Sequence, residues 1–356
     1  MTRRTLLSFI PGALLASQTT KAHKSQAASQ AHGEFFRFAD SITENPVVRL
    51  TPPNHQSLLS EPGNHFVSSR EGFLVFSSDR AGVFDPYRAN LKSGVITRLG
   101  ETKRLVPRSL CLDSRERELY YLDDRSLRAI DLRHGRSRML LEEVSDYHIA
   151  GHENTLVFRS GGKLSKWTPS ETIALADHVS SRGVVSPLEN GCVFSRQEAE
   201  SDHEFWFASF SGDKPRLLAK GNIAYPYWRP DGQAVLFLRQ VDLKAYVASE
   251  LREVCLDGSP EHIVAETSQF ASFAPNGDGS VFVGASRSKA QPEVVLLLRS
   301  AQREMVLCEH KATNAESVCP VFSPNSQRVY FQSDREGKSC LYSVNVERLV
   351  EQTEES

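Results

Sequence analysis

The chain has 356 residues, with 42 Lys+Arg against 44 Asp+Glu, a formal net charge of -2 and 40% hydrophobic residues. This composition excludes a disordered chain, which needs low hydrophobicity and strong charge imbalance, and a nucleic-acid binder driven by bulk positive charge. No apolar run reaches the roughly 18–20 residues of a membrane span, and the length exceeds one ordinary core of roughly 100–200 residues.

Residues 1–31 read as an export signal. Arg3 and Arg4 precede a short apolar stretch to Ala16, and small residues run to a candidate cleavage site at Ser29-Gln30-Ala31. A charged start, a short apolar segment and a small-residue end make a secretory signal too short to anchor a protein. The paired arginines match the twin-arginine type, which a receptor reads. A periplasmic or secreted protein is expected, and no Cys near the cleavage site offers a lipid anchor. Residues 32–45 read as a linker, 46–350 as the folded body and 351–356 as a disordered tail. The six Cys form no C-x-x-C pair and lie mostly in apolar runs, so they read as buried small hydrophobes.

The body repeats. VFSSDRAGVFDPYRANL (75–91) overlays YFQSDREGKSCLYSVNV (330–346) without a gap. Phe76, Asp79, Arg80, Gly82 and Tyr87 fall opposite Phe331, Asp334, Arg335, Gly337 and Tyr342. Each copy predicts strand, tight turn, strand. The aromatic packs between sheets, Gly permits a turn with positive φ, and Asp bonds backbone within the turn. A second piece recurs as YWRPDGQAVLFL (227–238), FAPNGDGSVFVG (273–284) and FSPNSQRVYFQ (322–332). An aromatic, a Pro-Asx turn and an alternating apolar strand mark a hairpin with one face buried.

Units opening near His65, Arg108, His148, Val184, Tyr225, Gln269 and Ser317 give roughly seven repeats of about 35–50 residues, the period of a propeller blade. The expected fold is all-β: a seven-bladed β-propeller of four-stranded blades. The last unit offers three clear strands, and PVVRLTP (46–52) is expected to supply the fourth. An N-terminal strand completing the last blade removes open sheet edges. Two stacked sandwiches are the rival architecture.

These motifs resemble the TolB-like (PD40) propeller group, whose blades carry aromatic-Ser-Pro-Asp-Gly and Ser-Asp-Arg-x-Gly patterns. Within it, VVRLTPPNH (47–55), the 75–101 stretch, YPYWRPDG (225–232) and CEHKATNAESVCPVFSP (308–324) are similar in order and spacing to the oligogalacturonate lyases. That resemblance implies cleavage of oligogalacturonides by β-elimination. A divalent metal, typically Mn2+, binds the uronate carboxylate, and a histidine removes the C5 proton. The family's metal-ligand positions fall on Gln269, Asn314, Ser317 and Cys319, and its base falls on Tyr225. None of these is His, Asp or Glu. Amide and hydroxyl oxygens bind such metals weakly, and a phenol with an ordinary pKa of roughly 10 is a poor base at neutral pH.

His65, Arg108, His148, Tyr225 and Gln269 are the candidate ligand contacts, because each opens a predicted inner strand. Arg108 has the planar fork that suits a carboxylate. For the two histidines, a satisfied structural role is the favoured reading. Tyr225, Tyr227 and Trp228 could stack on a sugar or fill blade core. HEFWF (203–207) lacks the second His of a zincin, and no G-x-S-x-G nucleophile motif is present. The expectation is a monomeric binder of anionic oligosaccharide without a cofactor. Mn2+ is implied only if lyase activity is retained. The alternatives are a divergent lyase and a scaffold for a protein partner.

Overall fold

The computed structural model describes residues 33–150, 155–199, 202–242, 247–267 and 270–347. The expected export signal, Gln269 and the expected tail lie outside the described residues. Among the described residues are seven antiparallel sheets and one turn of 3-10 helix, Ala315–Ser317. The sheets are the blades of a propeller. In chain order, blades 1 to 6 span 57–98, 111–141, 146–176, 184–221, 223–267 and 270–309, each with four strands in sequence order. No described helix is long and apolar enough to cross a membrane.

Burial falls from the second and third strands of a blade to its rim. In blade 6 the strands Val281–Ser286 and Glu293–Leu298 are almost wholly buried, because neighbouring blades cover both faces. Outer strands such as Thr172–Ala176 are largely exposed. The apolar clusters sit between blades rather than at one centre. One joins blades 3 and 4, another blades 4 and 5, and a large one runs through blades 6, 7, 1 and 2.

Blade 7 draws on both ends of the chain. Its strands Val321–Phe322, Arg328–Ser333 and Cys340–Asn345 are completed by Pro46–Arg49. Val47 pairs with Val344 and Arg49 with Tyr342. Residues 32–45, expected as a linker, instead hold a fifth strand, Phe36–Ala39, which pairs antiparallel with Pro46–Arg49. The turn between them is anchored. Asp40 accepts hydrogen bonds from the Ile42 and Thr43 amides, and its other carboxylate oxygen accepts one from the Glu309 amide in blade 6.

The repeated motif gives repeated geometry. Phe76 stacks on Tyr87 with centroids 5.9 Å apart, and Phe331 stacks on Tyr342 at 5.4 Å. Gly82 and Gly337 hold φ of 92° and 100°, which only glycine adopts freely. The aspartates act differently from expectation. Asp79 accepts from the Gln56 amide and Asp334 from the Thr313 amide, so each ties down the chain entering its blade rather than its own turn.

The inner strands open at Ser57, Cys111, Asp146, Val184, Ile223, Phe270 and Val321, close to the expected starts except in blade 1. There the chain leaves the sheet after Leu58 and returns at Val67, which bridges Leu74. The intervening Ser-Glu-Pro-Gly-Asn stretch reads as a plain loop, which hides the strand's true start.

Val47 is fully buried, whereas Phe36 on the outermost strand is 54% exposed. Val47→Ala is expected to cost about 2 kcal/mol of unfolding free energy in urea titrations. Phe36→Ala is expected to stay within about 0.5 kcal/mol, the usual range for surface changes. Equal effects would contradict closure through Val47.

Candidate functional site

Three residues near the start of inner strands share an unusual backbone. Arg108, Tyr225 and Cys319 have φ of 72°, 57° and 45°, the left-handed region that non-glycine residues occupy at a cost. They open blades 2, 5 and 7, and two of them meet. Arg108 Nη2 donates to Cys319 Sγ at 3.1 Å. Tyr225 lies near enough that Cys319 and Arg108 both act on its hydroxyl.

The blade 1 excursion joins this mouth of the channel to its walls. The Glu61 amide donates to the Arg108 carbonyl at 2.8 Å, and Glu61 Oε1 lies 3.1 Å from Arg108 Nε. Leu59 donates to the buried Gln332, whose Nε2 donates to the Ser317 carbonyl of the segment entering blade 7. Farther along, Arg182 of blade 4 donates to Asn64 Oδ1 and to the Pro62 carbonyl. Asn64 Nδ2 donates to the Leu110 carbonyl of blade 2. Beyond the excursion lies a cavity of about 450 Å3, walled by residues that include Gly63, Asn64, His65, Val185, Tyr227 and Val321.

The predicted contacts separate. His148 is buried with both ring nitrogens engaged: Nδ1 accepts from the Val185 amide at 3.3 Å, and Nε2 faces the Gly63 carbonyl at 3.3 Å. Burial, with help from Arg182, pushes its pKa down to about 3, so the ring is neutral and holds the excursion in place. This is the structural alternative for His148, with no nitrogen left for a ligand. His65 lines the cavity, with Nε2 3.6 Å from Glu116. Tyr227 packs edge-on against Phe273, and Trp228 donates to the Val184 carbonyl, so these two aromatics serve blade packing. Asn314 caps the short 3-10 helix through Oδ1, and Ser317 Oγ donates back to the Asn314 carbonyl.

The mouth also holds charges that the sequence motifs do not mark. Glu61 sits beside Arg108, Arg182 holds the excursion at Asn64 and Pro62, and Arg287 Nη2 approaches Glu316 Oε1 at 3.5 Å. Arg182 precedes its inner strand much as Arg108 does, the one positional signal that could have found it.

Two protonation states follow from this packing. Burial raises the Cys319 thiol above its ordinary pKa despite the neighbouring guanidinium, and Sγ donates to the Glu316 carbonyl at 3.2 Å. Burial likewise raises Tyr225 above the ordinary tyrosine range, against the opposing pull of Arg108 and Arg287. Both groups are therefore neutral at physiological pH.

Fold and site together define an all-β seven-bladed propeller in which Arg108, Cys319 and Glu61 meet where inner strands begin. No protein-family model matches the chain. It is 21% identical to the oligogalacturonide lyase of Pectobacterium atrosepticum, over 88% of this chain and 96% of that enzyme. The solved oligogalacturonate lyase of Vibrio parahaemolyticus superposes with a TM-score of 0.76 at 19% identity, covering 88% of this chain and 96% of that one. An oligogalacturonate lyase solved in complex with manganese gives a TM-score of 0.76 at 18% identity, covering 87% and 96%. The chain is an oligogalacturonate-lyase-like propeller.

The residues here do not fit a manganese ion. Among the described residues no group of three or more His, Cys, Asp or Glu is placed to share a metal. Cys319 is a protonated thiol committed to a carbonyl on one side and a guanidinium on the other. A cation beside that sulfur would meet the Arg108 charge directly.

The neutral His148 makes stability depend on acidity. Its folded pKa lies below the ordinary 6.5, so the unfolded chain binds the extra proton. Stability from this group is complete above about pH 6.5 and falls as pH drops toward 3, with a slope of at most about 1.4 kcal/mol per pH unit. His148→Gln is expected to flatten that part of the curve in denaturant titrations. An unchanged slope would contradict the burial of a neutral imidazole.

Proposed function

We propose that the protein is an exported propeller that binds anionic, uronate-type oligosaccharide at the Arg108 mouth of its channel, without metal-assisted elimination. The observation that carries this reading is the junction of Arg108 with Cys319. A guanidinium lies against the sulfur that stands where the resemblance puts a metal ligand, and among the described residues no group of three or more His, Cys, Asp or Glu is placed to share a metal. The likeness to oligogalacturonide lyases along nearly the whole chain supports the substrate class. The Arg3-Arg4 signal pattern supports export.

Elimination at a uronate needs two things at once: a cation that neutralises the carboxylate, and a base that takes the proton next to it. Tyr225 is held neutral by burial and is a poor base at physiological pH. Among the described residues, none that meets Arg108 is a histidine. What remains supports binding: a partly buried fork for a carboxylate, a neutral phenol for hydrogen bonds, and a wall fixed by the blade 1 excursion.

Oligogalacturonides incubated with the purified protein and manganese test this directly. The expected result is no rise in absorbance from unsaturated product, together with saturable binding of trigalacturonate in calorimetry. Turnover that disappears on chelation would replace this reading with a divergent lyase. Absence of both turnover and binding would favour a scaffold for a protein partner.

A further inference from the structure

Resting on that reading, we infer that the guanidinium of Arg108 takes over the role of the divalent cation and receives the uronate carboxylate itself. Its position carries the first part of the case. Nη2 is 3.1 Å from the sulfur of Cys319, which stands where the resemblance puts a metal ligand. Positive charge therefore sits beside the place where a metal's charge would be, supplied by the chain.

Its unused valence carries the second part. Glu61 faces the Nε side and Cys319 takes one hydrogen of Nη2. Nη1 has no partner among the described residues. The end-on edge of the fork, with Nη1 and the second hydrogen of Nη2, remains for a bidentate carboxylate. The contact with Glu61 is Coulombic, because the Nε hydrogen finds no hydrogen-bond acceptor. Glu61 is 45% exposed against 24% for Arg108, so the acid is the better solvated of the pair and the weaker rival for the fork.

The backbone carries the third part. Arg108 holds a left-handed φ of 72°, and its carbonyl is tied to the Glu61 amide, which aims the side chain toward blade 7. Such a conformation persists where the surroundings over-determine it, commonly at ligand clamps. The missing imidazoles and the added guanidinium are then one compensated change. A metal and an arginine at this distance would repel each other, so the mouth holds one cation or the other.

Trigalacturonate titrated calorimetrically in EDTA tests the assignment. Wild-type protein is expected to bind without metal, and binding should weaken as salt rises. Arg108→Gln should weaken binding by about tenfold or more, the loss of a charge-assisted bidentate contact. Glu61→Gln should strengthen it severalfold by removing the competing carboxylate. The neutral methyl ester of the same oligomer should bind both Arg108→Gln and wild type equally weakly. Unchanged affinity in a folded Arg108→Gln variant overturns the assignment and leaves the uronate-binding reading intact. So does wild-type binding that appears only with manganese. Failure of wild type to bind any uronate oligomer, with or without manganese, overturns both. If Arg108→Gln does not fold, Glu61→Gln decides alone, and unchanged or weakened binding counts against the assignment.

Discussion

The hydrogen bonds between residues 47–49 and 342–344 close the ring on which everything else depends. A propeller held only by blade-to-blade packing would end in two open sheet edges and could splay there. Pairing the N-terminal strand into the C-terminal blade makes the termini part of one sheet. Further ties reinforce that seam. Leu50 donates to the Leu341 carbonyl, Leu341 donates to the Thr51 hydroxyl, and Ser57 donates to the Ser339 carbonyl. The extra outer strand, Phe36–Ala39, then covers the edge of the closing strand, with Arg49 lying over Phe36 and Arg335 over Phe38.

Closure also sets the mouth of the channel. Blades 7 and 1 are neighbours only because the ring is shut, and Gln332 in blade 7 can then hold both Leu59 of the excursion and Ser317 of its own incoming segment. The excursion reaches on to blades 2, 3 and 4 through Glu61, Asn64, Gly63 and Pro62. Arg108 and Cys319 belong to blades far apart in sequence, and their contact is a product of this closed ring. The mouth is polar without being uniformly charged, since Glu61 and Glu316 moderate Arg108 and Arg287. Near-neutral net charge for the whole chain is compatible with a locally cationic site, because the field at a partly buried mouth is set by the nearest groups.

Much of the fold was legible in the sequence because the blades repeat. The Phe76–Tyr87 and Phe331–Tyr342 pairs lie at equal sequence spacing and both stack, so one copy predicts the other. The closing strand was legible from an incomplete last unit. The fifth strand was not, since four residues beside a polar turn carry too little periodicity to separate strand from linker. The site was legible only in part. Arg108 and Tyr225 stood out as residues that open inner strands. Their left-handed backbones and the Arg108–Cys319 contact join segments remote in sequence, which no local pattern encodes. Glu61 was hidden because Pro62 and Gly63 make its segment read as an ordinary turn. His148 reads the same in sequence whether it faces a channel or a neighbouring backbone, and only its packing decides between them.

The central claim is that a side-chain cation, and no metal, anchors the acidic group of the ligand. A crystal structure of the protein with trigalacturonate, grown with manganese present, tests it most directly. The account predicts a uronate carboxylate in hydrogen-bond contact with Arg108 Nη1 and Nη2, at about 2.7–2.9 Å, with no ion between them. Density for a manganese ion bridging the carboxylate to protein ligands, with Arg108 turned away, would contradict it.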